Sequence, residues 1–313
     1  MLTREIFSSL PGSLRARREL RPLLYCVAKE SGLRDAYLAA LARNLRLLDR
    51  AAQILDGAEA RGLRLLPLKG AVMAGALYPD PGARPMLDVD LLVHPEDFEG
   101  AIALAGELGF RRAYPERERY TARHAHDVSF VDEKNLSIEL HWRLWHELAA
   151  DGSAEPLFAR AIEIEIFGKP RRVPSWDDQL FATAVHAATH AFGDSPLWIF
   201  DLAFLIERGA NVDAAALEAE RRRAGFAFRA SLALAEKILP SLIPKISRPL
   251  ADRLREKLLT LVLGRDRLAA PPRRLPSLLA RALLTDDPRD AAREIFRKAA
   301  LRGSELRTRQ TAR

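Results

Sequence analysis

Cysteine is almost absent from the sequence, which contains only Cys26. No intramolecular disulfide and no cysteine-based zinc cluster can form, which fits a reducing compartment. Long apolar runs are also missing, since none approaches the roughly 18–20 residues that a membrane-spanning helix needs. The first residues lack the apolar core and the small-residue cleavage site of a secretory signal. We therefore expect a cytoplasmic protein without a membrane span.

Lysine is scarce too, with 8 lysines against 41 arginines, so a lysine directly before Gly70 points to a specific role for Lys69. The net charge of +7 is concentrated at the C-terminal end, where residues 245–313 hold 18 basic and 8 acidic side chains. Such a region can bind nucleic acid or an anionic surface, although a solvated helical face explains the same pattern.

Hydrophobic residues make up 48% and charged residues 29% of the 313 residues, as in soluble globular proteins. Apolar alternation predicts strands in the first half, and helical periodicity dominates both ends. We predict an α+β fold in which a mixed sheet of roughly four to six strands has flanking helices and precedes a helical bundle. The expected regions are N-terminal helices packing on the core (1–62), a core that contains the sheet (63–170), a helical domain (171–268) and a basic helical tail with a disordered end (269–313).

The segment over residues 65–94 carries the strongest chemical pattern. It reads as an apolar strand, a Lys-Gly turn, a short helix, a loop and a second apolar strand with Asp88 and Asp90. Alternate residues of a strand face the same side, so both carboxylates project from one face. Adjacent carboxylates repel each other, and Mg²⁺, which prefers carboxylate oxygens and substrate phosphates, is the usual relief. The pair therefore predicts a magnesium site.

The turn at Lys69 and Gly70 indicates a phosphate contact. Gly70 has no Cβ, so a phosphate could approach the backbone closely, and a helix that starts here would direct N–H groups at an anion. Together with the aspartates, this turn predicts phosphoryl or nucleotidyl transfer. Arg84, in the loop before the aspartate strand, could bind a triphosphate; an exposed loop arginine without that role is the alternative.

Several pieces of the chain resemble, in the same order, a bacterial family of uncharacterised nucleotidyltransferases in the polymerase-β-like superfamily. They are LPLKG (66–70), ALY (76–78), Arg84, LDVDLLV (87–93), SIELHW (137–142), HAATHAF (186–192) and LWIFDLAFLI (197–206). An Asp-x-Asp alone is a weak signal, whereas this ordered set is much more specific. The wider superfamily usually has Gly-Ser at the turn, where this chain, like the family, has Lys69-Gly70.

The resemblance implies a metal-dependent enzyme that moves an NMP from an NTP to a hydroxyl of an acceptor and releases pyrophosphate. Asp88 and Asp90 would hold Mg²⁺, with two ions expected and Mn²⁺ as an alternative. Glu139 would be the third carboxylate, completing the site for the second ion and helping to accept a proton; its alternative is a surface glutamate. Lys69 would neutralise developing charge, and His141 would bind substrate or hold Glu139. A small molecule, a sugar and a protein side chain all stay open as acceptor, while nucleic acid is not favoured.

Four residues of the helical region, His186, His190, Trp198 and Asp201, also recur in the family resemblance. His186 and His190 lie one turn apart on a helix predicted to begin after Ser175, but the segment lacks the glutamate of a zinc-protease motif. We predict a pocket here that faces the nucleotide or the acceptor. A buried His–Asp pair that only locks helices together explains the same residues.

A second hypothesis belongs to a different functional class. The chain would be a catalytically inactive protein with a nucleotide-binding fold, acting on nucleic acid or a protein partner through its basic C-terminal region. The intact set of Asp88, Asp90 and Glu139 argues against it, whereas the Lys-Gly turn in place of Gly-Ser supports it. Fold resemblance alone does not decide between the two.

Overall fold

A mixed five-stranded sheet lies in the first half of the chain. The computed structural model describes residues 2–115, 126–145, 150–264, 274–287 and 289–290. The strands are β1 (Leu65–Pro67), β2 (Asp88–Val93), β3 (Arg111–Arg112), β4 (Asp127–Val131) and β5 (Ser137–His141), in the spatial order β1-β2-β5-β4-β3. The pair β2–β5 is parallel and the other pairs are antiparallel. A separate hairpin follows, formed by β6 (Ile162–Ile166) and β7 (Lys169–Val173). The predicted α+β class with a mixed sheet is confirmed.

Helices occupy both ends of the chain and the connections between strands. They are α1 (Arg4–Ser9), α2 (Gly12–Arg15), α3 (Arg21–Ala28), α4 (Arg34–Ala60), α5 (Lys69–Val72), α6 (Phe98–Glu107), α7 (Glu155–Ala159), α8 (Trp176–Thr189), α9 (Leu197–Glu207), α10 (Val212–Arg221), α11 (Gly225–Ile238), α12 (Leu250–Leu263) and α13 (Arg274–Leu284). A π-helical turn, Met73–Leu77, continues α5. Ser175 caps α8 as predicted, because its side chain accepts a hydrogen bond from the Asp178 amide. None of the helices in the described ranges is both long and apolar enough to cross a bilayer.

Two large hydrophobic cores and a small third cluster of Val72, Ile166 and Val173 lie within the described residues. The apolar face of the sheet, including Val89, Leu91 and Ile138, packs against α4 and α6. A larger core joins α8, α9 and α11 to the N-terminal helices α1–α3, and the Phe7 ring stacks on Phe200 at 5.5 Å. The N-terminal helices therefore connect the sheet to the helical end of the chain. The division into four regions stays a prediction, and the disordered end predicted for the tail lies outside the described residues.

The buried face of the long helix α4 includes the amide of Asn44 beside the leucines Leu47, Leu48 and Leu55. Leu45 is 53% exposed, whereas Asn44 is fully buried. The Asn44 amide donates to the carbonyls of Pro81 and Arg84 at 2.5 and 2.7 Å, and its oxygen accepts from the Met86 N–H at 3.1 Å. These bonds satisfy the backbone of the loop that leads into β2. Asn44 thus fixes the entry to the aspartate strand.

We predict that Asn44→Leu lowers the free energy of unfolding by about 2–4 kcal/mol, because three buried backbone groups lose their partners. Urea denaturation measures the change. Leu45→Ala, on the exposed side of the same helix, is the matched control and should change stability by less than about 0.5 kcal/mol. Equal effects of the two substitutions would contradict the clamping role.

Candidate active site

Strand pairing gathers the predicted carboxylates on one face of the sheet. In the parallel pair, Asp90 lies opposite Glu139 and Asp88 lies opposite Ser137. Because side chains alternate along each strand, Asp88, Asp90 and Glu139 share the face opposite the apolar core. His141, two residues beyond Glu139, belongs to the same face. The sequence alternation and the strand register therefore combine to concentrate negative charge here.

Asp90 is the hub of the contacts on this face. Its Oδ1 atom lies 2.8 Å from His141 Nε2 and 3.3 Å from Lys69 Nζ. The same His141 nitrogen is 3.5 Å from Glu139 Oε2, and Ser129 donates a hydrogen bond to Glu139 Oε1 at 3.1 Å. His141 thus bridges two of the carboxylates. The ligand atoms of Asp90, Glu139 and His141 all lie within 4.8 Å of one another.

Lys69 reaches Asp90 from an unusual backbone conformation. Its φ angle is +43°, in the left-handed region that residues other than glycine rarely adopt. The residue lies at the junction between β1 and α5, so the conformation turns the chain and places the ammonium group beside the sheet face. Lys69 is therefore held for a contact with Asp90 at a backbone cost, as happens at functional sites.

Neighbouring positive charges give the acidic groups of this face different pKa values. Burial favours the neutral form of Asp90, but Lys69 and the His141 hydrogen bond outweigh it and hold the pKa of Asp90 well below its usual range. Burial and the Lys69 charge lower the pKa of His141, yet its bonds to Asp90 and Glu139 raise the pKa to about 9. At neutral pH, Asp90 is accordingly an ionised carboxylate between two cations.

Asp88 is the carboxyl group that this compensation does not reach. Burial, followed by the charges of Asp90 and Glu139, raises the pKa of Asp88 to about 7, despite partial relief from Lys69. A further cation beside Asp88 would remove this repulsion. Because carboxylate oxygens suit Mg²⁺ and Mn²⁺, the donor set of these three residues fits a hard divalent cation.

A cavity of about 550 Å³ lies along this face. Its volume falls within the roughly 300–1,000 Å³ of small-molecule sites. Its walls come from α3 and α4, from residues 69–90, and from residues 183–201 in and between α8 and α9. Predicted site residues that line it are Lys69, Gly70, Arg84, Asp88, Asp90, His186, Trp198 and Asp201. Glu139, His141 and His190 are outside the lining, although His141 contacts it through Asp90.

Arg84 joins the sheet region to the helical wall of the cavity. Its Nε and Nη2 atoms donate to the two oxygens of Asp201, each at 2.8 Å, and the Tyr78 hydroxyl donates to Asp201 Oδ1 at 2.8 Å. Arg84 is thus neither an exposed loop arginine nor fully available to a triphosphate. Its third nitrogen, Nη1, lies 2.7 Å from where a Cβ on Gly70 would be. The space that Gly70 leaves is filled by this guanidinium.

The four residues predicted to form a pocket in the helical region do not all contact one another. Asp201 pairs with Arg84 and Tyr78 and not with a histidine. The alternative prediction, a buried His–Asp pair that holds helices together, is therefore wrong for Asp201. His190 instead bonds Asp194, with Nδ1 and Oδ2 at 2.8 Å. His186 is half-buried, and burial, then Lys69 and His190, lower its pKa well below the usual value. Trp198 is 6% exposed and packs in the cavity wall near Phe192.

Sequence patterns did not reveal Asn44, Tyr78 or Asp194 as parts of the site. Asn44 gave one signal, an amide within a leucine-rich helix. Tyr78 lies in the ALY piece of the family resemblance. It is linked to the site by its hydrogen bond to Asp201, which lies 123 residues further along the chain. Asp194 follows two residues in the left-handed conformation, a geometry that sequence periodicity does not encode.

The first prediction concerns the buried pair of Arg84 and Asp201. Asp201→Ala should lower the free energy of unfolding by about 3–5 kcal/mol, because it leaves a buried guanidinium unpaired. Tyr78→Phe removes one neutral donor and should cost about 1 kcal/mol. Glu107→Gln, in the exposed Arg61–Glu107 pair, is the control and should change stability by less than about 0.5 kcal/mol. A cost for Asp201→Ala as small as this control would contradict the lock.

The second prediction uses the opposite pKa shifts of the two aspartates. Asp88 has a raised folded-state pKa, so its ionisation lowers stability as the pH rises from 3.8 through about 7. Asp90 has a lowered pKa, so its ionised form stabilises the fold at neutral pH and loses this effect in acid. Without metal at pH 8, Asp88→Asn should raise Tm and Asp90→Asn should lower it.

Thermal unfolding followed by circular dichroism at pH 8 and pH 4 measures both effects. The difference between Asp88→Asn and wild type should shrink at pH 4, where Asp88 is protonated in the folded state. Equal losses of Tm in the two variants at pH 8 would show that Asp88 experiences no like-charge repulsion.

Two solved structures are similar to part of the chain. One is a crystal structure of ANT(2″)-Ia in complex with adenylyl-2″-tobramycin, 18% identical, with 56% of this chain and 96% of that chain covered and a TM-score of 0.43. The other is a solution structure of the antibiotic-resistance factor ANT(2″)-Ia, 18% identical, with 62% and 97% covered and the same TM-score. These values are too low to support a conclusion about substrate. Comparison with curated proteins gave no match.

A match to a protein family covers most of the chain. The family described as "uncharacterised nucleotidyltransferase" matches residues 14–240, which include the strands, the cavity and the helices α8–α11. This agrees with the family that the motifs at 66–93, 137–142 and 186–206 resemble. The chain therefore belongs to the family of uncharacterised nucleotidyltransferases.

Proposed function

We propose that the protein is a metal-dependent nucleotidyltransferase that moves an NMP from an NTP to a hydroxyl of an acceptor molecule. The observation that carries this proposal is the placement of Asp88 and Asp90 on one sheet face, beside Lys69 and in the wall of a cavity of about 550 Å³. Glu139 adds a third carboxylate opposite Asp90. Family membership supplies the reaction class.

Asp88 and Asp90 are the proposed ligands of Mg²⁺, with Mn²⁺ as the alternative, and Glu139 completes the site for a second ion. The bound cations would draw charge from the NTP phosphates and orient the α-phosphate. His141 holds Asp90 and Glu139 in place through its bridging nitrogen. The high pKa of Asp88 supports this assignment, since burial of like charges there leaves a position where positive charge is stabilising.

Lys69 and Arg84 are proposed to contact the phosphates from the protein side. Lys69 Nζ lies beside Asp90, where it can neutralise charge that develops on the leaving pyrophosphate. Arg84 uses two nitrogens for Asp201, and its Nη1 over Gly70 is the group that an anion approaching this turn would meet. Arg84 thus acts mainly by positioning the turn and contributes one donor.

The reaction conserves atoms and charge in a simple exchange. A bond forms between the acceptor oxygen and the α-phosphorus, and the bond from that phosphorus to the bridging oxygen of pyrophosphate breaks. The hydroxyl proton passes to a carboxylate of the site, for which Glu139 is the proposed residue, or to solvent. Lys69 would stabilise the negative charge of the departing pyrophosphate, and cations held by Asp88, Asp90 and Glu139 would supply further positive charge.

The part of the cavity away from the carboxylates is suited to an apolar portion of a ligand. Helices α3 and α4 contribute Pro22, Ala36 and Ala40, and Met86 lies beside them. Small apolar side chains leave a flat surface on which a nucleobase or an acceptor can pack. Small molecules, sugars and protein side chains all offer the hydroxyl that the chemistry needs.

Calorimetric titration with ATP, GTP, CTP and UTP, each with and without Mg²⁺, tests this proposal directly. Wild type should bind at least one NTP only when Mg²⁺ is present. Asp88→Asn/Asp90→Asn should weaken that binding at least about tenfold. Asp49→Asn, which removes an exposed carboxylate of α4 outside the cavity lining, should bind as wild type does.

Absence of binding by wild type to any NTP with Mg²⁺ or Mn²⁺ would overturn the proposal. That outcome would favour the hypothesis of an inactive binding protein acting through the basic residues 245–313. Most of the chain beyond residue 264 lies outside the described ranges, so this hypothesis stays a prediction from sequence.

A further inference from the structure

A second group of metal-ligating side chains lies at the end of α8. The ligand atoms of His186, His190 and Asp194 all fall within 4.8 Å of one another. His186 and Asp194 line the same cavity as Asp88 and Asp90, on its helical wall. Nucleotidyl transfer as proposed above makes no use of this group.

The backbone brings the three side chains together by a tight reversal. His186 and His190 lie one helical turn apart, and their ring centroids are 4.6 Å apart. Directly after them, Ala191 and Phe192 have φ angles of +51° and +60°, and both residues are buried. Two consecutive left-handed residues other than glycine are strained. This reversal returns Asp194 to His190.

The contact between His190 and Asp194 is short enough for both side chains to reach one ion. Their Nδ1 and Oδ2 atoms are 2.8 Å apart, as in a hydrogen bond. Two ligands on a tetrahedral cation, each with a bond of about 2.1 Å, lie about 3.4 Å apart, so the two atoms would separate by roughly 0.6 Å on binding. Without metal, a proton on Nδ1 can join the two atoms, and a cation can replace that proton with little movement.

His186 adds a second imidazole to this group from the wall of the cavity. Its ring centroid lies 4.6 Å from that of His190, and its side chain lines the cavity. An imidazole binds metal in its neutral form. The carboxylate of Asp194 would offset part of the charge of the cation.

We propose that His186, His190 and Asp194 form a binding site for a borderline transition-metal cation such as Zn²⁺, in the wall of the cavity that Asp88 and Asp90 line. Imidazole nitrogens select this class of metal, whereas the carboxylates of the sheet suit Mg²⁺. With three protein ligands, the ion keeps at least one open position. An oxygen or nitrogen of a molecule bound in the cavity can occupy it.

Titration of untagged, metal-free protein with Zn²⁺ and with Co²⁺ tests the site. Wild type should bind one equivalent more than His190→Ala and Asp194→Asn, or bind that equivalent at least tenfold more tightly. His190 and Asp194 side chains are 41% and 56% exposed, so both variants should fold. His94→Ala, which removes a histidine outside the cavity, is the matched control and should keep the wild-type stoichiometry.

Two further measurements separate this site from the sheet carboxylates. Asp88→Asn/Asp90→Asn should retain the equivalent that His190→Ala loses. Electron paramagnetic resonance of the protein with one equivalent of Cu²⁺ should report two coordinated nitrogens, and His186→Gln should remove one of them. If wild type bound this equivalent of Zn²⁺ or Co²⁺ but no NTP in the presence of Mg²⁺, only the proposed function would be contradicted.

Zn²⁺ and Co²⁺ titrations with the same stoichiometry and affinity in wild type, His190→Ala and Asp194→Asn would overturn the site. The same conclusion would follow if wild type bound neither ion at millimolar concentration. In that case the His190–Asp194 contact is a surface ion pair at the end of a helix. NTP binding with Mg²⁺ would be unaffected by this outcome, so the two proposals fail independently.

Discussion

Repulsion among carboxylates on one half-buried sheet face is the constraint on which the site depends. Parallel pairing of β2 with β5 sets Asp90 opposite Glu139, and strand alternation adds Asp88 to the same face. The protein offsets part of this charge with Lys69 and His141, both of which contact Asp90. Burial, and then the charges of Asp90 and Glu139, raise the pKa of Asp88, which Lys69 and His141 relieve only in part. The uneven relief creates a position prepared for a cation.

The surrounding structure serves to hold this face against the cavity. Asn44 ties the loop before β2 to α4, and Arg84 ties the same loop to Asp201 in α9. Both contacts are buried and use charged or amide groups, whose loss would leave unpaired partners. The loop is therefore fixed from two directions. The carboxylates of β2 begin only a few residues after these contacts, so their position follows from them.

Local features of the site could be predicted from the sequence, and long-range ones could not. The shared face of Asp88 and Asp90 and the cap at Ser175 follow from alternation and capping rules. The partner of Arg84 depends on how α9 packs, which no local pattern encodes. Apolar residues at helical spacing, such as Leu47, Leu48 and Leu55, form the buried face of α4, and Asn44 lies on the same face. The hydrogen bonds of Asn44 to the loop before β2 depend on long-range packing, which the local pattern does not encode.

The separation of Arg84 and Asp201 along the chain also affects the order in which the molecule can assemble. They are 117 residues apart, and the N-terminal core residue Phe7 stacks on Phe200 beside them. Contacts between such distant residues carry a large loop-closure entropy, which slows folding. During synthesis, the strand of aspartates leaves the ribosome well before the helix α9 exists. A chain cut before residue 201 would keep the other lining residues of the cavity, but the guanidinium of Arg84 would lack its carboxylate partner.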